Sequence, residues 1–518
     1  MRPLLLFADS NFAVQDFTAH GDPDPVTAIL ADDIELSTVI EAMAGDDDLI
    51  ANVCRTALLE PLTDPTAVRY RQDAVRDSLG HPDVVHDLYR LATDTITAEK
   101  GFYYGLLSRS PDAVLSRSVH VLAMFFDALT ALRDRAEQHA GQFASAAYDT
   151  LFATLRRELD NAYLDEIRHH LNTMEFKHGV LISAELGVGN KGSHYMLREP
   201  LRDERNWLHR VGTLGLHPHT VTVPDRDQAG MSAVSDLRDR GINLVANALA
   251  QATDHILAFF RALQTELAFY LGCINLQRRL LPSRTCLPDL DVTTPMVRAK
   301  GLYDISLRLT TTATVVPNDV DARGKHTIVI TGANQGGKST LLRSIGQAYV
   351  MAQAGMFAAA EQLTIDLPTA VFTHFKREED TTMSSGKFDE ELHRMSQIAD
   401  RAHPGALVLF NESFASTNER EGSEIARQIL GALRDAGIGT VVVTHFYDLA
   451  VSLFDRHDPS MLFLRAERAD DGSRNFQVTP GVPLPTSFGD DLYREVFGSQ
   501  TVEPVSAPPG GRHAARPN

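Results

Sequence analysis

Hydrophobic residues recur at three- and four-residue steps through much of the first half of the chain. Between residue 51 and about 180 the pattern has few helix breakers. Its clearest stretch consists of Val119, Val121, Leu122, Phe125, Phe126, Leu129 and Leu132. This spacing places apolar side chains on one face of a helix. A second zone of this kind runs from about 232 to 280. It predicts one helix of more than about 40 residues, or two shorter helices, in a bundle or lever.

The pattern differs between these two zones and after them. From about 181 to 230 glycines, prolines and histidines appear with short β-like runs at 180–182 and 220–223. From about 300 to 498 strand-like and helix-like segments alternate, which is typical of an α/β domain with a mainly parallel sheet. The predicted fold class is therefore α plus α/β, in which a helical lever region is followed by an α/β domain.

These changes in pattern also set the predicted domain boundaries. Residues 1–50 form a mixed N-terminal segment, and residues 51–285 form the helical lever with a clamp-like insert near 181–230. The α/β domain covers 300–498. The last segment, 499–518, is rich in proline, glycine and alanine and is expected to be disordered.

Composition and charge narrow the class of protein. A chain of 518 residues is too long for one core, so two or three domains are expected. The net charge of −19 argues against a generally basic nucleic-acid coat, although it leaves a local basic patch open. Three cysteines without metal or redox spacing are interpreted as buried thiols in a reducing cytoplasm: Cys54, Cys273 and Cys286.

Neither a signal peptide nor a membrane span is expected from the sequence. The apolar tetrad at 4–7 is too short for a signal peptide. No uninterrupted apolar run reaches the ~18 residues of a membrane span. We therefore expect a soluble, cytoplasmic protein that does not act on a membrane.

A glycine-rich loop carries the strongest chemical signal. The apolar run 326–330 is followed by G-x-x-x-x-G-K-S and then by a helical run. In such a loop backbone N–H groups and a helix N-terminus face phosphate oxygens. The lysine reaches the β- and γ-phosphates of ATP, and the serine hydroxyl holds Mg²⁺. The expected nucleotide-binding residues are Gly332, Ala333, Asn334, Gln335, Gly336, Gly337, Lys338, Ser339 and Thr340.

Two later strand ends carry groups that suit ATP hydrolysis. The apolar run 406–410 ends in Asn411 and Glu412, and the run 439–444 ends in His445. A carboxylate after such a strand faces the γ-phosphate, so Glu412 is the candidate general base. His445 is placed to sense the γ-phosphate and to orient the attacking water. Lys338, Glu412 and His445 are therefore the candidate catalytic residues.

A weaker signal is the Ser-Gly segment upstream of Glu391. Ser384, Ser385 and Gly386 precede a helical run and offer hydroxyl and backbone donors to an anion. Their distance in sequence from the glycine-rich loop suits contact with a nucleotide that is held by another subunit. A plain helix N-cap by Ser384 or Ser385 is an equally good interpretation.

Together these elements resemble the ATPase domain of the ABC superfamily and, in detail, the MutS family. The resemblance is specific over about 315–490 and looser over about 55–280. It is carried by 331–340, Val371-Phe372-Thr373, Phe388 with Glu391, Asn411-Glu412 with Thr417 and Gly422, Thr444-His445-Phe446, Ser487-Phe488-Gly489, Pro317-Asn318-Asp319, 61–65 with Arg69, Arg71 and Gln72, and 271–276.

The resemblance implies a homodimer in which each ATP is held by the phosphate loop of one subunit and the signature segment of the other. Long levers would carry the closure of this dimer to a DNA duplex. Ser385 or Gly386 would then reach across the interface, and Asn318 would lie in the segment near the base. Asn411 would hold Mg²⁺ through water, together with Ser339.

Three departures from the family pattern change these expectations. The family usually has Asp where this chain has Asn411, and Asn keeps an oxygen acceptor but loses the charge. Binding is then retained while Mg²⁺ affinity or turnover falls. The chain also has Gly386-Lys387 where Ser-Thr is common. Roughly 50 residues precede the lever, without the Phe-x-Glu mismatch wedge, so we do not expect classical mismatch reading.

The segment 191–219 has two competing interpretations. It carries Lys191, several arginines, Tyr195 and Trp207 where the clamp of the family would touch DNA, but acidic residues are interleaved with them. DNA contact and a solvated, salt-bridged surface are equally supported. The nearby G-x-G-x-x-G at 187–192 lacks a βαβ unit, so we expect a turn there and not a dinucleotide site.

Two hypotheses from different classes remain at this point. The first is a Mg²⁺-dependent, homodimeric ATPase that opens and closes a DNA-holding clamp. The second is a slow, ATP-gated binding module whose partner is a protein, or RNA on a ribosome. A chromosome-maintenance ATPase with coiled-coil arms fits less well, because the chain lacks sustained heptads.

Overall fold

A computed structural model describes residues 1–8, 24–102, 111–174, 176, 180–198, 222–224, 226–377, 386–467 and 474–484. The chain divides into two compact units. The first, here the helical unit, comprises Met1–Val292, Ile305–Ala313 and Gln347–Leu367. The second, here the sheet unit, comprises Thr293–Asp304, Thr314–Gly346 and Pro368–Asn518.

The helical unit is built from helices whose starts are fixed by local capping. The Asp47 carboxylate accepts from the backbone N–H groups of Leu49 and Ile50, and Asp64 does the same for the helix at Pro65. The helices in the described part of this unit are α1 (Pro25–Asp33), α2 (Leu36–Ala44), α3 (Asp48–Leu59), α4 (Pro65–Gly80), α5 (Pro82–Gly101), α6 (Pro111–Gln138), α7 (Ala146–Glu158), α8 (Asn161–Met174), α9 (Gln228–Leu280) and α10 (Ile305–Thr310).

The long helix α9 organises the core of this unit. It is one continuous helix of 53 residues, which decides between the two predictions for 232–280. Its C-terminal half buries Phe260, Leu267 and Phe269 and packs along α2, α3, α5 and α6. Gly272 permits close packing, because a Cβ there would lie 2.3 Å from Sγ of Cys54. The lever interpretation itself stays a prediction.

A buried carboxylate ties the N-terminal residues to α9. Glu266 accepts hydrogen bonds from the backbone N–H groups of Leu5 and Leu6, the latter at 3.0 Å. The hydroxyl of Tyr270, one turn further, donates to the Leu5 carbonyl. Burial raises the pKa of Glu266 to about 7, although both backbone donors oppose the shift.

The segment between the helical zones forms an antiparallel hairpin. Strand β1 (Leu181–Leu186) pairs with β2 (Gly192–Arg198), and a 3₁₀ turn at Val188–Asn190 forms the tip. The G-x-G-x-x-G sequence is therefore a hairpin turn, as predicted. A short parallel pair, β3 (Asp289–Leu290) with β7 (Gln362–Ile365), completes the strands described in this unit.

Two helices have the length and average hydropathy of a membrane span, Ala113–Gln138 and Gln228–Leu280. Because the sequence has no uninterrupted apolar run of that length, these two helices were not expected to meet the criteria for a membrane span. In the fold, 50% and 72% of their most apolar windows are buried within the protein. Burial of this kind is typical of helices that form the core of a globular protein.

The sheet unit contains a six-stranded sheet in the order β12-β11-β6-β10-β9-β8. All neighbours in it are parallel except β11 and β12. Its strands are β6 (Thr327–Gly332), β8 (Val371–Phe375), β9 (Leu407–Asn411), β10 (Gly439–Val443), β11 (Met461–Ala466) and β12 (Val478–Pro480). A separate antiparallel pair joins β4 (Arg298–Leu302) to β5 (Asn318–Asp321). The helices that begin in this unit are α11 (Lys338–Gln353), whose residues from Gln347 onward are assigned to the helical unit, α12 (Lys387–Arg401), α13 (Glu419–Asp435) and α14 (Tyr447–Phe454).

A mixed helical and parallel-sheet architecture was expected and is present. β6 and β10 are buried because they lie inside the sheet, which explains their apolar, β-branched sequences. Cys54 and Cys273 are buried as expected, whereas Cys286 is partly exposed. The domain boundaries stay predictions, and the tail 499–518 lies outside the described residues.

Candidate functional site

The glycine-rich loop joins the buried strand β6 to the first turn of α11. Gly332 ends the strand with φ of 107°, a conformation that side chains with a Cβ rarely adopt. A Cβ at this position would lie 2.8 Å from the carbonyl oxygen and 2.9 Å from the nitrogen of Ala466 on β11. Glycine is therefore required here both by the backbone angle and by the close approach of a second strand.

The loop curves back on itself before the helix begins. Gln335 and Gly337 also have positive φ, 58° and 92°. A Cβ on Gly336 would lie 2.8 Å from Cβ of Ala466. Glycines at 336 and 337 add no side chain to the loop, and the Gly336 N–H donates to the Ala333 carbonyl at 3.2 Å.

Lys338 is buried inside this loop. Its ammonium group donates to the carbonyl oxygens of Gly332 at 2.9 Å and Ala333 at 3.0 Å, and lies 3.4 Å from Oδ1 of Asn334. Burial lowers its pKa, and the negative charge of Glu412 opposes this shift. The ammonium group of Lys338 therefore lies in the loop that the sequence predicts to bind the phosphates of ATP.

The parallel strands bring the predicted strand-end residues to the same edge as the loop. β10 lies between β6 and β9, with Val443 beside both Ile330 and Asn411. The Ser339 hydroxyl donates a 2.9 Å hydrogen bond to Oδ1 of Asn411. The two residues predicted to hold Mg²⁺, 72 positions apart in sequence, are therefore in direct contact.

These two side chains fit a hydrated magnesium ion in the type of donor they present. A hydroxyl and an amide oxygen are hard oxygen ligands, and Mg²⁺ keeps several waters in protein sites. Both groups are neutral, so neither supplies the charge that a carboxylate would. Within the described residues, no group of three or more His, Cys, Asp or Glu side chains is arranged to hold a metal ion.

Glu412 follows β9 in a left-handed backbone conformation. Its φ is 53°, and its N–H donates to the carbonyl of Val443 at 2.9 Å. Its charge acts on both Lys338 and His445. Burial lowers the pKa of His445, against the opposing effect of Glu412, so the imidazole is mostly neutral at pH 7.

Asn318 is placed differently from the phosphate-loop residues. Its buried side chain accepts from the N–H of Val478 at 2.8 Å and donates to the carbonyl of Phe476 at 3.3 Å. Its amide therefore joins β5 to the first residue of β12 and to the segment that precedes β12. That segment approaches the loop, since the Phe476 carbonyl oxygen would lie 3.3 Å from a Cβ on Gly337.

The predicted signature segment is only partly visible. Ser384 and Ser385 lie outside the described residues, whereas Gly386 is the exposed N-cap of α12. Both interpretations of Ser384 and Ser385, as anion-binding residues or as a simple N-cap, therefore stay predictions. Ser487–Gly489 and most of 191–219 also lie outside the described part.

In the described part of the clamp-like insert, Arg198 and Tyr195 make contacts within the chain. Arg198 donates to the Ser183 hydroxyl at 2.9 Å, and the Arg240 guanidinium lies 6.0 Å from the ring centroid of Tyr195. Neither contact decides between DNA binding and a solvated surface, so both interpretations of this segment stay open.

Two further groups next to the site were not anticipated. Arg474 donates to Oε1 of Gln335 in the phosphate loop at 2.5 Å, from 139 residues away in sequence. His374 on β8 contacts Ser413, the residue after Glu412. Neither belongs to a local motif, so the sequence pattern offers no signal for them.

The comparisons with known proteins cover both parts of the chain. Residues 63–282 match the family model of the MutS2 N-terminal domain, and residues 328–489 match that of MutS domain V. Endonuclease MutS2 of Clostridium acetobutylicum is 36% identical over 166 residues, 31% of this chain and 21% of that protein. DNA mismatch repair protein MutS of Haloquadratum walsbyi is 30% identical over 215 residues, 37% of this chain and 23% of that protein. The alignments span less than a quarter of each relative.

Proposed function

Since this chain belongs to the MutS family, we propose that it is a Mg²⁺-dependent ATPase whose dimer closure controls the binding of DNA. The single observation that carries the proposal is the convergence of Lys338, Ser339, Asn411 and Glu412 at one edge of the parallel sheet. This convergence would bring together a phosphate-binding loop, oxygen ligands for the metal and a general base. The transfer of a phosphoryl group to water requires these three elements.

Each of these residues has a distinct task in the proposed reaction. Lys338 exchanges its carbonyl partners for phosphate oxygens, while the loop amides hold the rest of the triphosphate. Ser339 and Asn411 would hold Mg²⁺, which neutralises phosphate charge when it is bound. Glu412 takes a proton from the attacking water, and neutral His445 orients that water.

We further propose that the reaction is completed by a second copy of the chain. Ser385 or Gly386 of one subunit would contact the nucleotide held by the other, and helical levers would transmit closure to a nucleic acid. The family relationship and the exposure of Gly386 at the start of α12 support this arrangement. A cytoplasmic role in DNA repair or recombination follows from it as a proposal.

One observation favours a second candidate function. Asn411 contributes an amide to the site, so the metal lacks a carboxylate from the strand end. Turnover would then be slow enough for ATP to serve as a structural ligand that gates binding to a protein, or to RNA on a ribosome. The two candidate functions differ in the rate of ATP hydrolysis and in the binding partner, and both use the same nucleotide site.

Steady-state Mg-ATP hydrolysis tests the proposal. The purified protein is assayed alone and with duplex, branched and single-stranded DNA and with structured RNA, and the Lys338→Ala protein serves as the control for contaminating activity. The account predicts a rate that is absent in the control and altered by one form of DNA. If no form of DNA changes the hydrolysis rate, the result would favour the second candidate function, with a protein or RNA partner. A rate equal to that of the control would remove the ATPase assignment.

A further inference from the structure

A buried histidine lies between the catalytic strand end and the helix that follows the signature segment. His374 on β8 is fully buried. Its Nδ1 is 2.8 Å from the Ser413 hydroxyl, and its Nε2 is 2.9 Å from the carbonyl oxygen of Glu391 on α12. The ring also stacks on Phe414, with centroids 5.1 Å apart and planes 23° from parallel. One side chain thus contacts both the residue after Glu412 and α12.

The protonation state of this histidine fixes the direction of its hydrogen bonds. Burial lowers the pKa of His374 to about 4, so the ring is neutral at physiological pH. A carbonyl oxygen only accepts, so Nε2 carries the proton and donates to Glu391, and Nδ1 accepts from Ser413. The Ser413 hydroxyl also contacts the carbonyl of His374, so its single proton has two acceptors on one residue.

A second link joins the same helix to the same loop. The Ser416 hydroxyl donates to Oε1 of buried Glu391 at 3.0 Å. Arg394, one turn further along α12, donates to the carbonyl of Phe375 at 3.0 Å. The loop that begins with Glu412 is therefore attached to α12 at Ser413, through His374, and again at Ser416.

The backbone of this loop is held in an unfavourable conformation. Glu412 and Phe414 have φ of 53° and 62°, which non-glycine residues adopt only when their surroundings enforce it. The hydrogen bonds of Ser413 and Ser416 flank these two residues, and the Glu412 N–H donates to the Val443 carbonyl of β10 at 2.9 Å. Through His374 and Glu391, α12 is thus connected to residues one and four positions after Glu412.

We propose that His374 is a positioning residue, which couples the placement of α12 to that of Glu412 and so makes hydrolysis depend on the state of the signature segment. The inference rests on the proposed ATPase function, since it concerns how that reaction is regulated. His374 is not one of the residues of the proposed nucleotide site, so its substitution should affect turnover and leave nucleotide binding intact.

The test compares His374→Phe, Ser413→Ala and the double variant with the wild-type protein. Phenylalanine keeps the ring and removes both hydrogen bonds, and alanine removes only the Ser413 hydroxyl. Each single variant should lower kcat about three- to tenfold, the equivalent of one hydrogen bond, with KM for Mg-ATP within about twofold of wild type. The double variant should lose less than the two single losses multiplied, because each substitution breaks the connection from Ser413 through the His374 ring to α12.

Two controls separate positioning from simple damage. Ser452→Ala changes a partly buried serine of α14 in the same unit and should leave kcat unchanged. His374→Gln retains a donor toward Glu391 and should recover part of the loss seen with phenylalanine. If His374→Phe does not fold, which thermal unfolding would show, Ser413→Ala carries the test alone.

Wild-type kcat in both single variants, or losses that multiply in the double variant, would overturn the coupling. A parallel rise in KM would also overturn it, because that result indicates a distorted nucleotide site. Absence of hydrolysis by the wild-type protein would instead refute the proposed function, and the coupling with it.

Discussion

The hydroxyl of Ser339, at the start of α11, donates a 2.9 Å hydrogen bond to Oδ1 of Asn411, the last residue of β9. Two polar groups that are expected to share a magnesium ion are thus already aligned, yet neither carries a charge. An aspartate at 411 would present the same oxygen with a negative charge added. The proposed metal site therefore has two oxygen donors from these side chains and no negative charge from either of them.

Replacing Asn411 with Asp should strengthen the metal site. The carboxylate gains a direct attraction to Mg²⁺, and charge-assisted contacts are roughly twice as strong as neutral ones. We expect the Mg²⁺ concentration for half-maximal activity to fall and kcat to rise about tenfold, a difference of about 1.4 kcal/mol. Hydrolysis rates measured across a Mg²⁺ titration check this.

The matched control for that substitution is Asn52→Asp, which adds the same charge at an exposed position of the helical unit. It should leave the titration unchanged. An Asn411→Asp protein with wild-type kcat and Mg²⁺ dependence would show that the amide does not limit turnover.

Lys338→Ala should weaken nucleotide binding strongly. The substitution removes the only cation that the structure places inside the described part of the phosphate loop. Hydrogen bonds to charged groups contribute about 1.5–3 kcal/mol, so affinity should fall at least about tenfold. Equilibrium binding of a fluorescent ATP analogue measures the change. Lys325→Ala, at a lysine that donates to the Pro459 carbonyl, should bind like wild type; equal affinities in both variants would argue against the site.

Gly332→Ala should destabilise the sheet unit and weaken nucleotide binding together. The added methyl group would lie 2.8 Å from the Ala466 carbonyl oxygen, and the φ of 107° is strained for alanine. Backbone strain of this kind costs about 1–3 kcal/mol. Chemical unfolding and ATP binding, measured on the same protein, check the prediction.

Gly431→Ala provides the comparison for this glycine. It lies inside α13, and a Cβ there meets no atom within 4 Å. Alanine should stabilise this helix by about 0.5–1 kcal/mol. If both alanine variants shift the free energy of unfolding in the same direction, the close approach of β6 to β11 is not what requires glycine at position 332.

The strand-end cluster was predictable because its parts have local signatures. The loop pattern, the apolar runs before Asn411 and His445, and the parallel arrangement together imply that these groups share one edge. The contact between Ser339 and Asn411 follows from that geometry. For α9 the sequence predicted either one long helix or two shorter ones, and the structure has one. The apolar periodicity alone did not decide between these two predictions.

The remaining contacts depend on tertiary packing and leave no trace in a local pattern. Arg474 meets Gln335 across 139 residues, and His374 meets Ser413 across 39. The side chain of Asn318 is engaged by backbone groups of β12 and of the segment before it. A hydrogen bond between distant residues is set by strand order and loop path, which single-sequence periodicity does not specify.

Glu266→Gln should change how stability depends on pH. The folded-state pKa of Glu266 is raised to about 7, above its ordinary value of 4.5. The stabilising protonated form is therefore complete below about pH 4.5 and is lost as pH rises through 7. Wild type should lose up to about 3 kcal/mol between pH 5 and 8 from this group, a loss that glutamine avoids while still accepting from Leu5 and Leu6.

Unfolding free energies of both proteins at pH 5 and pH 8 measure this difference. Glu137→Gln, at an exposed glutamate of α6, is the control and should follow wild type. If Glu266→Gln and wild type lose equal unfolding free energy between pH 5 and pH 8, the Glu266 carboxylate does not cause the pH dependence of stability.

The central claim is that ATP binding joins two copies of the chain and that Glu412 then ends this state by hydrolysis. Glu412→Gln keeps the size and one acceptor oxygen of the side chain but removes the general base. Sedimentation velocity of this variant, with and without saturating Mg-ATP, is the most direct measurement. The account predicts a stable dimer with ATP and a smaller species without it. A Glu412→Gln protein that stays monomeric at saturating Mg-ATP would contradict it.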